Sequence, residues 1–154
     1  EPYKQYTNEL QINILGPEIE PGSFYTRANC AFQRASDMGR IDVAFGGITG
    51  CKKAIAMYES LGMQCEMHVG GFGNLAILGS TTEEQCEYYE RGLTKPDEDR
   101  DACPVFLKNP SDPMDDNGYV EIPKQPGLGI ELNWDYIKDN FLPDLSSKNV
   151  QFED

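Results

Sequence analysis

The chain has 154 residues, about the size of one domain, of which 39% are hydrophobic and 25% charged. Thirteen Lys and Arg stand against 26 Asp and Glu, a formal charge of −13, which argues against nucleic acid or an anionic membrane as a partner, because a phosphate-binding surface needs clustered cations. No run approaches the roughly 18 consecutive apolar residues of a spanning helix, and the polar start EPYKQYTNEL does not read as a secretory leader, so a cytoplasmic chain without a membrane partner is expected.

In chain order, LQINIL (10–15) is a strand candidate halted by Gly16-Pro17. Ser23 is placed to cap a helix over 23–36, with Phe24, Ala28, Ala31, Phe32 and Ala35 at helical spacing. MGRIDVAF (38–45) reads as a second strand running into Gly46-Gly47, after which Thr49 caps a helix that stops at Gly62. MQCEMHV (63–69) is a third strand, followed by the loop GGFGN and a short helical stretch LAILG, and CEYYERG (86–92) is a fourth. Strands alternating with helices imply βαβ crossovers, hence a parallel sheet and an α/β fold. The texture changes after Leu93. Residues 93–117 are rich in proline and acid without a period, as in a solvated loop. GYVEIP (118–123) reads as a short β segment, 134–141 as a helix capped by Asn133, and the last dozen residues as loose.

Cys30, Cys51, Cys65, Cys86 and Cys103 are odd in number, no C-x-x-C occurs, and His68 is the one histidine. That supports neither a disulfide framework nor a zinc finger, and predicts reduced, mostly buried thiols.

At or near the C-terminal end of each proposed strand sits a residue able to do acid, base or metal chemistry: Glu18, Asp42, His68 and Glu90, spaced 24, 26 and 22 residues apart. That spacing is about one βα unit, and in a (β/α) barrel such positions converge on the rim that carries active sites. His68 ends a strand and precedes a glycine-rich loop that leaves its ring accessible. Asp42 on the preceding strand can reach one ring nitrogen, fixing the tautomer and leaving the other free to abstract a proton. GGIT (46–49) and GGFG (70–73) lack the spacings of phosphate-binding loops and read as tight turns, the second also able to shape a pocket.

GPE (16–18), the D-x-x-x-x-D-V pattern (37–43), GGITG (46–50), CEMH (65–68), EYYE (87–90) and GYVEIPKQPGLGIELN (118–133) occur in this order over nearly the whole chain. Together they resemble the C-terminal part of the enolase superfamily, in the mandelate racemase/muconate lactonizing enzyme branch that includes sugar-acid dehydratases. The resemblance implies about strands 5–8 of a modified TIM (β/α) barrel over residues 1–92, and an irregular C-terminal extension, 93–154, packing on the barrel or capping region. An N-terminal capping domain and the first half of the barrel are absent from these residues.

The resemblance also implies a magnesium ion, with Glu18 as the last of three carboxylate ligands (Glu20 a weaker competitor) and the others on the missing strands. Asp42 and His68 become a dyad with His68 as general base or acid. Glu90 contacts substrate or hydrogen-bonds to the enediolate, and as a donor there it would need a raised pKa. The implied activity is abstraction of the proton α to a carboxylate, in a sugar-acid (aldonate or aldarate) dehydratase acting on a small acid sugar. A racemase or epimerase of the same family is the first alternative. The second is a non-catalytic half-barrel interaction module, in which His68 is buried and the dyad has no open pocket. One glutamate cannot hold magnesium tightly, so the chain alone is expected to be inactive, and its open sheet edges predict self-association as a homo-oligomer.

Overall fold

The computed structural model describes residues 2–18, 24–91 and 103–141. Its regular elements are α1 (Pro2–Glu9), α2 (Phe24–Phe32), β1 (Gly39–Ile41), α3 (Gly47–Ser60), β2 (Cys65–Met67), α4 (Phe72–Leu78) and α5 (Trp134–Asp139), with a 3-10 turn at Val43–Phe45. β1 and β2 pair in parallel, Gly39 opposite Cys65, Arg40 opposite Glu66 and Ile41 opposite Met67. Because side chains alternate along a strand, Gly39, Ile41, Cys65 and Met67 face the core while Arg40 and Glu66 face the other side.

The core forms between this pair and the helices. Cys51, Ala54, Ile55 and Tyr58 recur at the helical period on α3 and are buried. They meet Ala31 of α2, Ile41, Cys65, Met67, Ile77 of α4 and Cys86. Parallel strands joined and covered by helices make this an α/β fold, as expected.

The fully buried Tyr58 ring lies so close to Gly39 that a β-carbon there would overlap it. Gly39→Ala is therefore expected to cost about 2 kcal/mol or more through overpacking. Combining it with Tyr58→Leu should cost less than the two changes summed, because both act on one contact. Thermal melts followed by circular dichroism test this.

Several expectations are corrected. LQINIL is not a ladder: only Leu15 pairs, with Met38 in parallel. Before it, Ile14 is tied by its N–H to Asp37 Oδ2 at 2.7 Å, and Leu10 and Ile12 are exposed. The described part of CEYYERG, 86–91, also forms no strand. β2 instead meets the turn at 83–85, just before that segment, Cys65 N–H donating to Gln85 O at 2.8 Å. Thr49 does not cap α3, which starts two residues earlier behind Gly46, whose φ of 142° suits glycine. On α2, Phe24 and Phe32 are exposed and the buried positions are Arg27 and Ala31. α4 begins at Phe72, so GGFGN is partly helix, and GYVEIP contributes only a bridge between Met114 and Val120.

Asn133 does cap the last helix, its side chain accepting from Tyr136 N–H, although the helix ends at Asp139. All five cysteines are free, and Cys51, Cys65 and Cys86 are buried. No helix among the described residues is long and apolar enough to cross a membrane. Ser23, Glu20, residues 93–102 and the last dozen residues lie outside the described residues.

Candidate active site

The site grows from the C-terminal ends of β1 and β2. Two-residue alternation puts Arg40 and Asp42 on one face of the first strand, and Glu66 and His68 on the same face of the second. Asp42 Oδ1 accepts from Ala44 N–H at 2.9 Å and starts the 3-10 turn. His68 N–H donates to Ile41 O at 2.7 Å, extending the pairing one residue past β2. The imidazole is thereby brought beside Asp42, with Nδ1 3.1 Å from Oδ2.

Glu18, just past Gly16-Pro17, places Oε1 3.1 Å from His68 Nε2. Ionised carboxylates only accept, so both contacts are hydrogen bonds when both ring nitrogens carry hydrogen, the proton-loaded form of the ring. A quarter of the His68 side chain, 25%, stays exposed, unlike the buried ring of a purely structural dyad.

Glu90 Oε2 accepts from Val69 N–H at 3.0 Å and pairs with the Arg40 guanidinium. The Val69 N–H is the main reason its carboxyl is held below the usual range. Partial burial opposes the effect and Arg40 adds to it. Glu90 is thus an acceptor here, and its lowered carboxyl pKa is the opposite of the raised one that a donor role would need. Arg40 also lies 3.6 Å from Glu18 through Nε, so Glu18 and Glu90 share one guanidinium while Glu18 and Asp42 flank the His68 ring.

Three supporting residues were missed by sequence reasoning. Arg40 had a signal, since in GRID it stands two residues before Asp42 and so on its face. Asn74 is a polar residue within the apolar FGNLAIL and is buried. Its Nδ2 donates to Asp42 Oδ1 at 3.1 Å, His68 O at 2.8 Å and Val69 O at 3.1 Å, and its Oδ1 accepts from Val43 N–H at 2.9 Å. The buried Arg27 donates to Pro17 O at 2.8 Å, to Glu18 O at 3.0 Å and to Arg40 O, tying the Glu18 backbone to β1. Val69, directly after His68, has a φ of 55°, a costly conformation for a β-branched residue and one that clusters at functional sites.

Burial pushes the Asp42 carboxyl up, but hydrogen bonds from Ala44 N–H, His68 and Asn74 outweigh it and hold the pKa below the ordinary value. Asp42 and Glu90 are both depressed in the folded state, so the unfolded chain binds more protons in acid. Their stabilisation is complete above about pH 5 and is lost as pH falls through the folded values. Urea melts are expected to show stability declining below about pH 5, with a shallower decline in Asp42→Asn.

The described residues do not by themselves fit a magnesium ion. Among them no three His, Cys, Asp or Glu side chains form a metal-holding group. Glu18, the one expected ligand, already has its two oxygens facing His68 and Arg40, whereas magnesium demands a near-octahedral oxygen shell. A cleft of about 400 Å³ reaches Glu18 from the side of Tyr3, Cys30 and Ser36, and neither Asp42 nor His68 is among its lining residues.

The sequence matches the family described as enolase C-terminal domain-like over residues 1–136. The D-glucarate dehydratase of Agrobacterium tumefaciens complexed with magnesium is 37% identical, with a TM-score of 0.84 over 90% of this chain and 36% of that one. A protein from Pseudovibrio sp. described as a mandelate racemase/muconate lactonizing enzyme is 22% identical, with a TM-score of 0.74 over 89% of this chain and 36% of its own. A racemase from Streptomyces coelicolor with bound magnesium is 21% identical, with a TM-score of 0.70 over 89% and 34%. The chain thus spans about a third of the length of these structures, and it shares their fold. No curated protein matches the sequence.

Proposed function

Because the chain belongs to the enolase C-terminal domain-like family, we propose that it supplies the Asp42–His68 side of an active site that removes the proton α to the carboxylate of an acid sugar. In this reading it is part of a longer dehydratase, with residues 1–92 as about strands 5–8 of the barrel and 93–154 as an extension packed on it. The observation that carries the reading is the 3.1 Å contact between His68 Nδ1 and Asp42 Oδ2 on adjacent parallel strand ends. The 37% identity to a glucarate dehydratase supports dehydration over racemisation.

The chemistry follows from the donor set. Asp42 holds hydrogen on Nδ1, leaving Nε2 as the reacting atom once Glu18 releases it. Nε2 takes the α-proton, the C–H electron pair forms the carbon–carbon double bond as the bond from the β-carbon to its hydroxyl breaks with the pair on oxygen, and Asp42 balances the imidazolium charge. The same nitrogen returns its proton to the departing β-hydroxyl, so water leaves and the enol of a 2-keto-3-deoxy acid remains. Glu90, ionised and 41% exposed at its side chain, is suited to accept from a substrate hydroxyl. Arg40 offsets the charges of Glu18 and Glu90 beside the ring. A magnesium ion would need ligands from outside the described residues, with Glu18 the one carboxylate expected from this chain. The exposed Tyr25, Phe32 and Ile12 leave apolar surface that supports association.

The test is the enzyme containing this chain, given aldonic and aldaric acids with magnesium in deuterium oxide. Formation of a 2-keto-3-deoxy acid is expected. An α-deuterated but intact acid would make the enzyme a racemase or epimerase, and neither product from any acid would sink the reading.

A further inference from the structure

The backbone just after His68 is gripped from three sides. Val69, at a φ of 55°, gives its N–H to Glu90, while Asn74 donates to its carbonyl. Two residues on, Gly71 N–H donates to Tyr89 Oη at 2.6 Å, and the Tyr89 hydroxyl donates to Asp112 Oδ2 at 2.8 Å. Asp112 is itself fixed. Its Oδ1 accepts from Ser111 Oγ at 2.7 Å, Arg91 Nε lies 3.8 Å from Oδ2, and its side chain is 16% exposed. The fit is tight, because a β-carbon on Gly70 would come within 2.9 Å of both Tyr89 Oη and Asp112 Oδ2.

The geometry points to Tyr89 and Asp112 as positioning residues for His68: a clasp that fixes the 69–71 backbone and so the orientation of the imidazole, with Asp112 contributed by the irregular C-terminal segment. The functional half of this rests on the proposed role of His68; the clasp itself does not. The physical reason is the strained residue. A β-branched side chain in the left-handed region persists only where its surroundings over-determine it. Glu90 and Asn74 hold Val69 itself, and Tyr89 stops the following residues from rotating the strain away. Burial raises the Tyr89 pKa, as do the hydrogen bond and charge of Asp112, so the phenol remains a donor across ordinary pH. Tyr89 thereby couples a segment more than 40 residues from His68 in sequence to the ring's own loop.

The experiment uses the 154-residue chain, whose one histidine gives an unambiguous ring signal. In Tyr89→Phe, amide hydrogen exchange at Gly71 is expected to quicken roughly five- to tenfold relative to the α3 core, as for loss of one net hydrogen bond. The His68 ring nitrogen resonances should shift or broaden. Asp112→Ala should do the same, and Asp112→Asn, which keeps an acceptor for the phenol, should restore both signals. Unchanged Gly71 exchange in folded Tyr89→Phe would overturn the clasp. Faster exchange with an unchanged His68 signal would overturn its positioning role. If Tyr89→Phe does not fold, the Asp112 pair decides by the same criteria. None of these readings depends on turnover, so failure of the catalytic proposal leaves them interpretable.

Discussion

Replacing His68 with asparagine is expected to lower dehydration by the whole enzyme by about 10³-fold or more, with substrate KM changed far less. Asparagine matches part of the imidazole's volume, and its amide can still donate to Asp42 Oδ2 as Nδ1 does at 3.1 Å. It cannot accept a proton from carbon and return it to oxygen, so the loss falls on kcat. Steady-state kinetics with the acid sugar that the wild type dehydrates measures this. A fall of less than tenfold would mean that another group moves the proton. Asp42→Asn is the informative companion. It removes the acceptor that fixes hydrogen on Nδ1, while Asn74, bonded to Oδ1 at 3.1 Å, remains to hold the side chain, so activity should fall without loss of the fold.

The positions of this site were legible because two simple periods fix them. A βα unit recurs about every 22 to 26 residues here, and alternation along a strand assigns a face. Asp42 and His68 follow from those two rules at the ends of β1 and β2, and so would Arg40 had the second been applied to GRID, whereas Glu18 and Glu90 reach the site from segments that form no strand of their own. The ionisation of Glu90 was not legible. It depends on the Val69 N–H and on Arg40, 21 and 50 residues away in sequence, and no local pattern reports which groups a fold will aim at a carboxylate. The same limit explains Arg27. The apolar stripe of α2 was readable, but its buried side meets the carbonyls of residues 17, 18 and 40, which call for a guanidinium where Phe24 and Phe32 were expected to pack. LQINIL shows the converse, a strand-like composition that forms a single bridge because a ladder requires a partner along its length.

Asn74→Leu is expected to be the most destabilising substitution at the site, costing about 3 to 5 kcal/mol, a large share of the stability of a domain this size. Leucine has a comparable shape, so the loss is one of bonding. Val43 N–H loses its acceptor, the carbonyls of His68 and Val69 lose a donor, and Asp42 Oδ1 keeps only Ala44 N–H. Buried groups stranded in this way cost about 1 to 3 kcal/mol each, and the strained Val69 loses one of its restraints. Asn74→Asp separates bonding from charge. It retains the acceptor for Val43 but sets a second carboxylate against Asp42, so at neutral pH it should also be strongly destabilised. Its folded-state pKa should be raised by that like charge, and protonation restores a donor toward Asp42. Stability relative to wild type should therefore recover as pH falls from 7 toward about 5, opposite in sign to the decline that depressed carboxylates cause below about pH 5. Urea melts of both variants across that range measure the difference. An Asn74→Leu chain within about 1 kcal/mol of wild type would mean that the four bonds do not hold the strand ends together.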